Sequence, residues 1–365
     1  MEIRLLKINE IDKLLDAIKR LWNPNHVYCR NPELLKYLIY NTPYRKDYCG
    51  NDENTSCYVV IDDNKVVGFE GLIPLEGNIF GESVSASTAT LLKMDKNYKL
   101  AGIDLIETVY KNDQSIHVSI GTNTRALKLF SALGRYTFKD FPRWVWTNKF
   151  DELKKIFKID NNSILNCLNW NISSNNILPK GSYDSFIEEE KWNKFYNMSF
   201  AKRTIGIKRD YKFLKWRYID YPFFNYKIIL LKDVEGNYKG LAVYRIESIL
   251  DGKYKIGRIL EFIYDDIDYG MNLCSKLQNE EDILFWDFYC LSSITATALE
   301  YCGFIRLDRN ESNKMIPTRF QPIDFNVMNI MGAIRLSEDA KHKVNLVIDQ
   351  QWYVTRGDAD QDRPN

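Results

Sequence analysis

The chain has 365 residues, which is enough for two hydrophobic cores of ordinary size but would make a single core unusually large. Its 50 Lys and Arg residues nearly cancel its 49 Asp and Glu residues, so no strong uniform charge would recruit a nucleic acid or an anionic membrane surface. We therefore expect small-molecule substrates and neither a nucleic-acid nor a membrane partner.

The sequence also predicts a cytoplasmic protein without a bound metal. No apolar run approaches the roughly 18 residues of a membrane span, and the start of the chain alternates charged and apolar residues, unlike the core of a signal peptide. The 7 cysteines lack the paired short spacing of a zinc site or a disulfide framework, and 3 histidines add few metal ligands. The sequence does not give the oligomeric state, and a homodimer stays open.

The first predicted elements are one helix and three strands. Residues 11–21 place their apolar side chains on one stripe, which is typical of an amphipathic helix that packs on a core. Residues 58–61 and 66–73 flank a polar turn and predict a hairpin, and residues 84–94 supply a third strand.

Residues 91–134 predict a strand, a turn, a helix, a second strand and a second helix in one continuous unit. An apolar strand ends at Met94, and apolar residues return at helical spacing from Ile103. The last helix of the unit begins after Asn123 and ends at Gly134. The aromatic-rich residues that follow, up to Phe150, are expected to add the last strands of this unit.

The turn before the first of these helices has the features of a phosphate site. A helix that begins directly after a strand points free backbone N–H groups and the positive end of its dipole at one spot, which suits a pyrophosphate. Gly102 lies in the first helical turn, and Lys96 and Lys99 add positive charge. With a single glycine, an ordinary strand-to-helix turn explains the pattern at least as well.

Two patterns within this stretch occur together in a known family. After the strand come a tyrosine, a basic residue, a glycine and an isoleucine, and the later helix has an asparagine, an alanine, an aliphatic pair with an aromatic residue, and a closing glycine. In their order and spacing they resemble the GNAT family of acyl-CoA-dependent N-acyltransferases. The matching residues are Tyr98, Lys99, Gly102 and Ile103, then Asn123, Ala126, Leu127, Leu129, Phe130 and Gly134.

The resemblance implies a fold and a cofactor site. The fold would be α/β (α+β), with two tandem GNAT-like domains, each a mixed and mainly antiparallel sheet flanked by helices. Acyl-CoA, either acetyl-CoA or 3-hydroxybutanoyl-CoA, would be the co-substrate, and backbone N–H groups of the strand before the turn would bind the oxyanion. The implied cofactor-binding residues are Leu92, Met94, Lys99, Leu100, Ala101, Gly102, Ile103, Asn123 and Phe130.

One residue departs from the family pattern. The family often places a tyrosine in the late helix to protonate the leaving sulfur, and this chain has Phe130 at that position. Acid catalysis by this residue is therefore absent. A CoA thiol is acidic enough to leave as the thiolate, so the loss need not abolish activity.

The second part of the chain repeats the first. Leu35 with Pro43 is matched by Leu214 with Pro222 at the same interval, and hairpin, strand, helix, strand and helix follow in the same order. Repeated order and spacing indicate a duplication. We predict an N-terminal domain at 1–160, a C-terminal domain at 181–365, and an Asn- and Ser-rich connection at 161–180.

The two copies differ in charge at the phosphate turn. Asp265, Asp266 and Asp268 stand where the first copy has Lys96 and Lys99, and carboxylates there would repel a pyrophosphate. Only the first copy is therefore expected to bind coenzyme A. The second copy would shape the acceptor pocket or brace the first copy.

Three ionisable residues among apolar neighbours are candidates for the general base. They are Glu70, His117 and Asp287, and burial or a charged partner can shift the pKa of each. A hydrogen-bonded structural role is the commoner explanation for each, because buried polar groups are normally satisfied without doing chemistry. His117 is slightly favoured, because the ordinary pKa of histidine suits deprotonation of an ammonium near neutrality.

Two further segments could contact the acceptor. Trp216 and Arg217 could stack on and pair with a nucleotide, although a core helix explains Trp216 as well. The C-terminal end could be solvated and frayed, but the strand-like residues before it indicate an ordered element. Its predicted substrate-binding residues are Asp358, Asp360 and Arg363.

These two segments resemble tandem-GNAT acyltransferases of bacterial surface-polysaccharide clusters. That resemblance implies transfer of an acyl group to the amino group of a nucleotide-linked deoxyamino sugar, for example a dTDP-3-amino-3,6-dideoxyhexose. Two alternatives stay open. One is a FemAB-like peptidyltransferase that uses aminoacyl-tRNA, against which the near-neutral charge argues. The other is a non-catalytic protein that binds CoA or a nucleotide sugar.

Overall fold

The computed structural model describes most of the chain, including both predicted halves. The predicted connection at 161–180 and the candidate residue Arg363 lie outside the described residues. The division into domains stays a prediction, and "first half" and "second half" below mean the elements before and after that connection. The described residues are 1–111, 114–157, 159, 181–280, 282–307, 316–321, 323–324, 329–344 and 351–362.

The first half has seven helices and seven strands among its described residues. They are β1 (Glu2–Lys7), α1 (Ile11–Leu21), α2 (Val27–Arg30), α3 (Pro32–Ile39), α4 (Arg45–Cys49), β2 (Asn54–Asp62), β3 (Lys65–Ile79), β4 (Glu82–Met94), α5 (Lys99–Tyr110), β5 (Ile116–Thr122), α6 (Thr124–Ala132), β6 (Tyr136–Phe138), β7 (Arg143–Trp146) and α7 (Phe150–Phe157).

The second half also combines strands and helices along the chain. Its described elements are β8 (Ser182–Asp184), α8 (Glu189–Met198), β9 (Ile205–Ile207), α9 (Tyr211–Leu214), β10 (Lys227–Lys232), β11 (Tyr238–Ile249), β12 (Tyr254–Tyr264), α10 (Ile267–Gln278), β13 (Ile283–Leu291), α11 (Ser293–Tyr301), β14 (Ile305–Arg306), β15 (Met331–Leu336), α12 (Glu338–Lys343) and β16 (Trp352–Thr355).

Local sequence explains where several of these elements begin and end. The turn between β2 and β3 holds Asp63 and Asn64 at positive φ, as a tight hairpin turn requires, and this confirms the predicted hairpin. The side chain of Asn123 accepts a hydrogen bond from the backbone N–H of Ala126 and starts α6. Gly134 stops that helix at φ 72°, a conformation that glycine adopts without strain.

The strands form one long sheet that is mostly antiparallel. Its order is β6-β15-β5-β4-β3-β9-β16-β13-β12-β11-β10-β8, with β1, β2, β7 and β14 off this path. Parallel pairing occurs between β4 and β5, between β12 and β13, and between β9 and β16. A mixed, mainly antiparallel sheet flanked by helices is the predicted fold class, which is confirmed.

Helices cover both faces of the first-half sheet. On one face α1 and α3 pack on the sheet, and Leu35 shares a buried cluster with Leu91. On the other face α5 packs, and Leu105 shares a cluster with Leu92. Leu91 and Leu92 point to opposite faces because side chains alternate along a strand. The position of a side chain on β4 therefore decides which set of helices it meets.

The two halves exchange strands. β15 lies late in the chain but pairs with β5 and β6 of the first half, whereas β7 pairs with β13 and β14 of the second. The expectation that all strands up to Phe150 complete the first unit is therefore wrong for β7. Aromatic and β-branched residues such as Trp144 and Val145 indicate a strand, but they do not say which sheet it joins.

The C-terminal segment, defined here as residues 352–362, lies between the halves. Its strand β16 pairs with β9 on one side and with β13 on the other. The residues after it are buried, and Asp358, Asp360 and Asp362 are each at most 3 % exposed. The expectation of an ordered element is confirmed, and a frayed, solvated end is excluded for these residues.

Gly206 of β9 makes the close approach of β16 feasible. It has φ 150°, and a Cβ there would lie 2.3 Å from the carbonyl oxygen of Tyr353. We expect Gly206→Ala to lower the free energy of unfolding by about 3–5 kcal/mol, measured by denaturant titration. Gly252→Ala is the matched control, because Gly252 also has positive φ but nothing within 4 Å, and it should cost about 1 kcal/mol. Equal losses would contradict this account.

Candidate active site

β4 and β5 run parallel and then separate. Their ladder extends from Ala86 opposite Ile116 to Ala89 opposite Ser119, after which both strands continue without pairing to each other. The register of β4 against β3 shifts at this point, which leaves Thr90 out of step. We call the space between residues 90–94 of β4 and 120–122 of β5 the fork. No strand of the described chain fills it.

The start of α5 lies at the end of β4 and is uncapped. A short 3₁₀ turn at Lys96–Tyr98 leads into the helix, and Asp95 caps this turn by accepting a hydrogen bond from the backbone N–H of Asn97 at 3.0 Å. No side chain caps α5 itself. Lys99 is exposed, and Leu100 is 80 % exposed. The free N–H groups, the positive end of the helix dipole and the lysine charges act at one place, which can bind an anionic group.

Packing does not require a glycine at position 102. A Cβ there would meet only the side chain of Met94, no closer than 3.6 Å, which is an ordinary contact. A helical glycine costs about 1 kcal/mol relative to alanine. Gly270 holds the same fourth position in α10, but a Cβ there would lie 2.7 Å from the Cβ of Ala298. Gly270 is thus explained by helix packing, whereas Gly102 is not.

The other predicted cofactor residues surround the fork at different depths. Leu92, Met94 and Gly102 are half-buried, Ile103 is exposed, and Ala101 is buried under α5. Asn123 is exposed at the start of α6, where its Oδ1 serves as the helix cap.

Phe130 lies deeper than the other predicted cofactor residues. It is 2 % exposed, with the guanidinium carbon of Arg135 3.9 Å from the centre of its ring. The contact of each of these residues with a cofactor stays a prediction.

The second half has a matching fork that the protein fills itself. The ladder between β12 and β13 ends at Ile259 opposite Phe288, and β16 then pairs with β13 in the gap. The Tyr353 hydroxyl accepts a hydrogen bond from the backbone N–H of Phe262 at 2.9 Å and donates one to Glu261 at 2.7 Å. A backbone donor that a ligand could use is therefore already satisfied.

The protein's own side chains also satisfy the start of the helix that follows the second fork. The Asp266 side chain caps α10 by accepting a hydrogen bond from the backbone N–H of Asp268 at 3.0 Å. Asp265 is paired with Lys239 at 3.3 Å. A carboxylate thus occupies the place that an anionic ligand would take. In the first fork the aspartate cap, Asp95, lies on the 3₁₀ turn before α5, and lysines flank the start of the helix.

The C-terminal segment crosses the first fork at the point where the strands separate. The Thr88 hydroxyl donates to the carbonyl oxygen of Asp358 at 2.8 Å, and the Gln361 amide donates to the carbonyl oxygen of Ile120 at 3.1 Å. Between these anchors the Asp360 carboxylate accepts a hydrogen bond from Tyr28. Sequence reasoning did not identify Tyr28, Thr90 or Gln361, because no local pattern links positions so far apart in the chain.

Glu70 is buried on the α5 side of the sheet. It is 1 % exposed, and its Oε2 has no hydrogen-bond partner among the described residues. Burial raises the pKa of Glu70 to about 7, although the positive charge of Arg135 opposes the rise. The carboxyl group therefore changes charge near neutral pH, as a proton carrier would.

His117 lies on β5, on the same face as Glu70. Its Nδ1 is 2.8 Å from the Ser87 hydroxyl and its Nε2 is 3.3 Å from the Ser119 hydroxyl, which in turn accepts a hydrogen bond from Arg135. Burial lowers the pKa of His117 to about 4, and the charge of Arg335 adds to the effect. The ring is neutral at pH 7 and binds a proton only weakly.

Asp287 lies in a different part of the sheet from Glu70 and His117. It lies on β13 in the second half and pairs with Arg143 at 2.7 Å and with Arg258 at 3.7 Å. Although burial alone would raise the pKa of Asp287, these two arginines hold it below its ordinary value. The structure thus places Glu70 and His117 on the same face of the first-half sheet and leaves Asp287 in a separate ion-pair network of the second half.

Trp216 and Arg217 contact other parts of the protein. Trp216 is 7 % exposed and stacks on Tyr37 with ring centres 5.8 Å apart. Arg217 is buried and donates to the carbonyl oxygens of Gly357 at 2.9 Å and Ala359 at 3.4 Å. Arg217 therefore holds the C-terminal segment. A contact of either side chain with a nucleotide stays a prediction.

Solved structures share this architecture over nearly the whole chain. A conserved protein of unknown function from Enterococcus faecalis, described as a probable N-acyltransferase, has a TM-score of 0.53 at 11% identity, covering 92% of this chain and 72% of its own. A GCN5-related N-acetyltransferase from Anabaena variabilis has a TM-score of 0.51 at 12% identity, with the same coverage of 92% and 72%. Saccharomyces cerevisiae N-myristoyltransferase with bound myristoyl-CoA has a TM-score of 0.50 at 11% identity, covering 91% and 77%.

Identities this low establish a shared fold only. No protein-family model matches the sequence, and no curated protein matches it. No helix among the described residues is long and apolar enough to cross a membrane. The chain has the fold of the GCN5-related N-acetyltransferases, as the resemblance implied.

The raised pKa of Glu70 predicts that the free energy of unfolding depends on pH. The pKa is about 7 in the folded protein against an ordinary value of 4.5, so folding favours the protonated form and stability falls as the pH rises from about 4.5 through 7. Glu70→Gln should remove this loss of stability and raise the free energy of unfolding by up to about 3 kcal/mol at pH 8, with little gain at pH 5. Denaturant titration at both pH values measures it. Glu107→Gln, at an exposed position of α5, is the control and should have the stability of the wild type at both pH values. An equal gain for Glu70→Gln at pH 5 and pH 8 would contradict the raised pKa of Glu70.

Proposed function

We propose that this protein is an acyl-CoA-dependent N-acyltransferase whose fork between β4 and β5 binds the acyl-CoA. The observation that carries the proposal is the open fork with the uncapped, lysine-flanked start of α5 beside it. The shared fold supports the reaction type, and one solved structure with that fold holds myristoyl-CoA. The protein's own groups fill the corresponding places in the second half.

The parts of the fork suit the three chemical groups of an acyl-CoA. The start of α5 with Lys96 and Lys99 would bind the pyrophosphate, because free N–H groups and positive charge converge there. Beyond their ladder, β4 and β5 would offer backbone groups to the pantetheine amides and to the thioester oxygen, except for the carbonyl oxygen of Ile120, which Gln361 already binds. Since Phe130 cannot donate a proton, the sulfur would leave as the thiolate.

We further propose that the acceptor is the amino group of a nucleotide-linked deoxyamino sugar, most simply a dTDP-3-amino-3,6-dideoxyhexose. The product would serve the synthesis of a surface polysaccharide such as the O-antigen of lipopolysaccharide. Support comes from the sequence resemblance of the Trp216–Arg217 segment and of the C-terminal segment. The structure adds that Arg217 and the C-terminal segment contact each other, so the two resembling segments form one structural unit.

Release of free thiol tests the proposed reaction. Acetyl-CoA and 3-hydroxybutanoyl-CoA would be incubated with a panel of dTDP- and UDP-linked amino sugars, and thiol release would be followed with a colorimetric thiol reagent. We expect release that depends on both substrates. CoA binding without thiol release from any pair would refute the enzyme and support a non-catalytic CoA-binding protein, which the loss of a tyrosine at position 130 favours.

Replacement of Gly102 tests where the cofactor binds. Gly102→Val should weaken CoA binding at least 10-fold by calorimetry, because a branched side chain would keep the phosphates from the backbone at the start of α5. The fold should persist, since a Cβ at 102 meets only Met94 at ordinary distance. Thr108→Val places the same side chain later in α5 and should bind CoA normally. Normal binding by Gly102→Val would move the cofactor away from this turn.

A further inference from the structure

We infer that Asp360 receives the acceptor amine at the fork and takes its proton, with Tyr28 and Thr90 positioning the carboxylate. The inference rests on the proposed N-acyltransferase function and names a group that this function needs. An amine is mostly an ammonium at neutral pH and attacks a thioester only after it loses a proton. The C-terminal segment places a carboxylate where it crosses the fork.

The backbone of the C-terminal segment is fixed on both sides of Asp360. The Thr88 hydroxyl holds the carbonyl oxygen of Asp358 at 2.8 Å, and the Gln361 amide holds the carbonyl oxygen of Ile120 at 3.1 Å. Thr88 lies at the end of the ladder that joins β4 to β5, and Ile120 is the first residue of β5 beyond that ladder. Asp360 therefore lies where the two strands separate.

Its side chain is held as firmly as its backbone. The Tyr28 hydroxyl donates to Oδ2 of Asp360 at 2.5 Å and lies 2.9 Å from the Oγ1 of Thr90. The Gln361 amide lies 3.2 Å from Oδ1. Tyr28 and Asp360 are 0 % and 3 % exposed, so little water competes for these hydrogen bonds. Thr90, the out-of-step residue of β4, is thus linked through one hydroxyl to a carboxylate.

The aspartates on either side of Asp360 anchor the segment to the second half. Asp358 pairs with Arg209 at 2.6 Å and Asp362 pairs with Arg245 at 2.8 Å. Between them, Asp360 accepts the hydrogen bond of the Tyr28 hydroxyl, which also contacts Thr90. A carboxylate in a site of low polarity attracts an ammonium strongly.

The face of the sheet also favours Asp360 over Glu70 and His117. Ser87 contacts His117 and Thr88 contacts Asp358, and successive side chains of a strand point to opposite faces. α5 packs on the face that holds His117 and Glu70. A ligand held at the start of α5 and passing between the strands would present its thioester to the opposite face, where Asp360 lies.

The proposed step balances in protons and electrons. The ammonium gives one proton to the Asp360 carboxylate, and the nitrogen lone pair then attacks the carbonyl carbon of the thioester. The new C–N bond forms, the C–S bond breaks, and the sulfur leaves with the bonding pair as a thiolate. The second N–H proton of the intermediate passes to the thiolate through solvent, and Asp360 returns its proton to solvent to complete the cycle.

Asp360→Asn tests this inference through the pH dependence of transfer from acetyl-CoA. With a dTDP-3-amino sugar at pH 7 we expect kcat/KM to fall about 100-fold, because the amide cannot accept a proton. The loss should shrink as the pH approaches the pKa of the acceptor ammonium. Hydroxylamine, which is uncharged at pH 7, should be acylated within a few-fold of the wild-type rate. Asp268→Asn, an exposed change in the second half, should match the wild type throughout.

The other outcomes distinguish a wrong role for Asp360 from a wrong proposed function. A wild-type rate for Asp360→Asn with the amino sugar at pH 7, or a loss that is equal at every pH and with hydroxylamine, would overturn the role of Asp360 while leaving the enzyme in place. Failure of the wild-type protein to release thiol with either acceptor would overturn the proposed function as well. If Asp360→Asn does not fold, Tyr28→Phe replaces it, and we expect a smaller loss of about 10-fold with the same pH dependence.

Discussion

The buried pairing of Arg209 with two carboxylates fixes the C-terminal segment, and the geometry of the fork depends on it. Arg209 lies 3.0 Å from Glu261 of β12 and 2.6 Å from Asp358, and all three side chains are 0 % exposed. Although burial alone would lower the pKa of Arg209, the charges of Asp358 and Glu261 raise it above its ordinary value. Removal of one partner from such a group typically costs about 3–5 kcal/mol, because it leaves a buried charge uncompensated. The segment therefore keeps one position.

The two halves share one arrangement of strands and helix but fill it differently. In both halves a parallel strand pair separates after a short ladder, and a helix starts beside the gap. In the second half β16 enters the gap, the Tyr353 hydroxyl satisfies the Phe262 N–H, and Asp266 caps the helix. In the first half the same C-terminal segment only crosses the base of the gap. The segment that fills the second fork thus also anchors the base of the first.

Local sequence predicted most of what makes the first fork. Asn123 and Gly134 marked the limits of α6 by their cap preferences, and the strand before Lys99 gave the position of α5. These features depend on residues within a few positions of one another, so they are readable from the chain alone. The aspartates at 265 to 268 also indicated correctly that the second turn differs in charge, and Asp266 serves as its cap.

The features that local sequence does not predict depend on contacts between residues that are distant in the chain. Tyr28 and Asp360 are separated by 332 positions, and neither the short helix α2 nor the acidic C-terminus indicates a partner. The exchange of β7 and β15 between the halves has the same origin, because a strand pattern gives the strand but not its neighbour in the sheet. His117 was favoured for the ordinary pKa of histidine, whereas burial lowers that pKa to about 4 in the folded protein.

The position of Asp360 gives the second half a role that does not require a second cofactor. A carboxylate that accepts a proton during transfer must keep its place while the acyl group approaches, since a shift of about 1 Å can cost about 100-fold in rate. In this protein the backbone on either side of Asp360 is tied to β4 and β5, while Asp358 and Asp362 are tied to arginines of the second half. The two halves thus hold the same short segment from opposite sides. Because strand exchange joins their sheets, the second half can fix the geometry of the reaction proposed for the first.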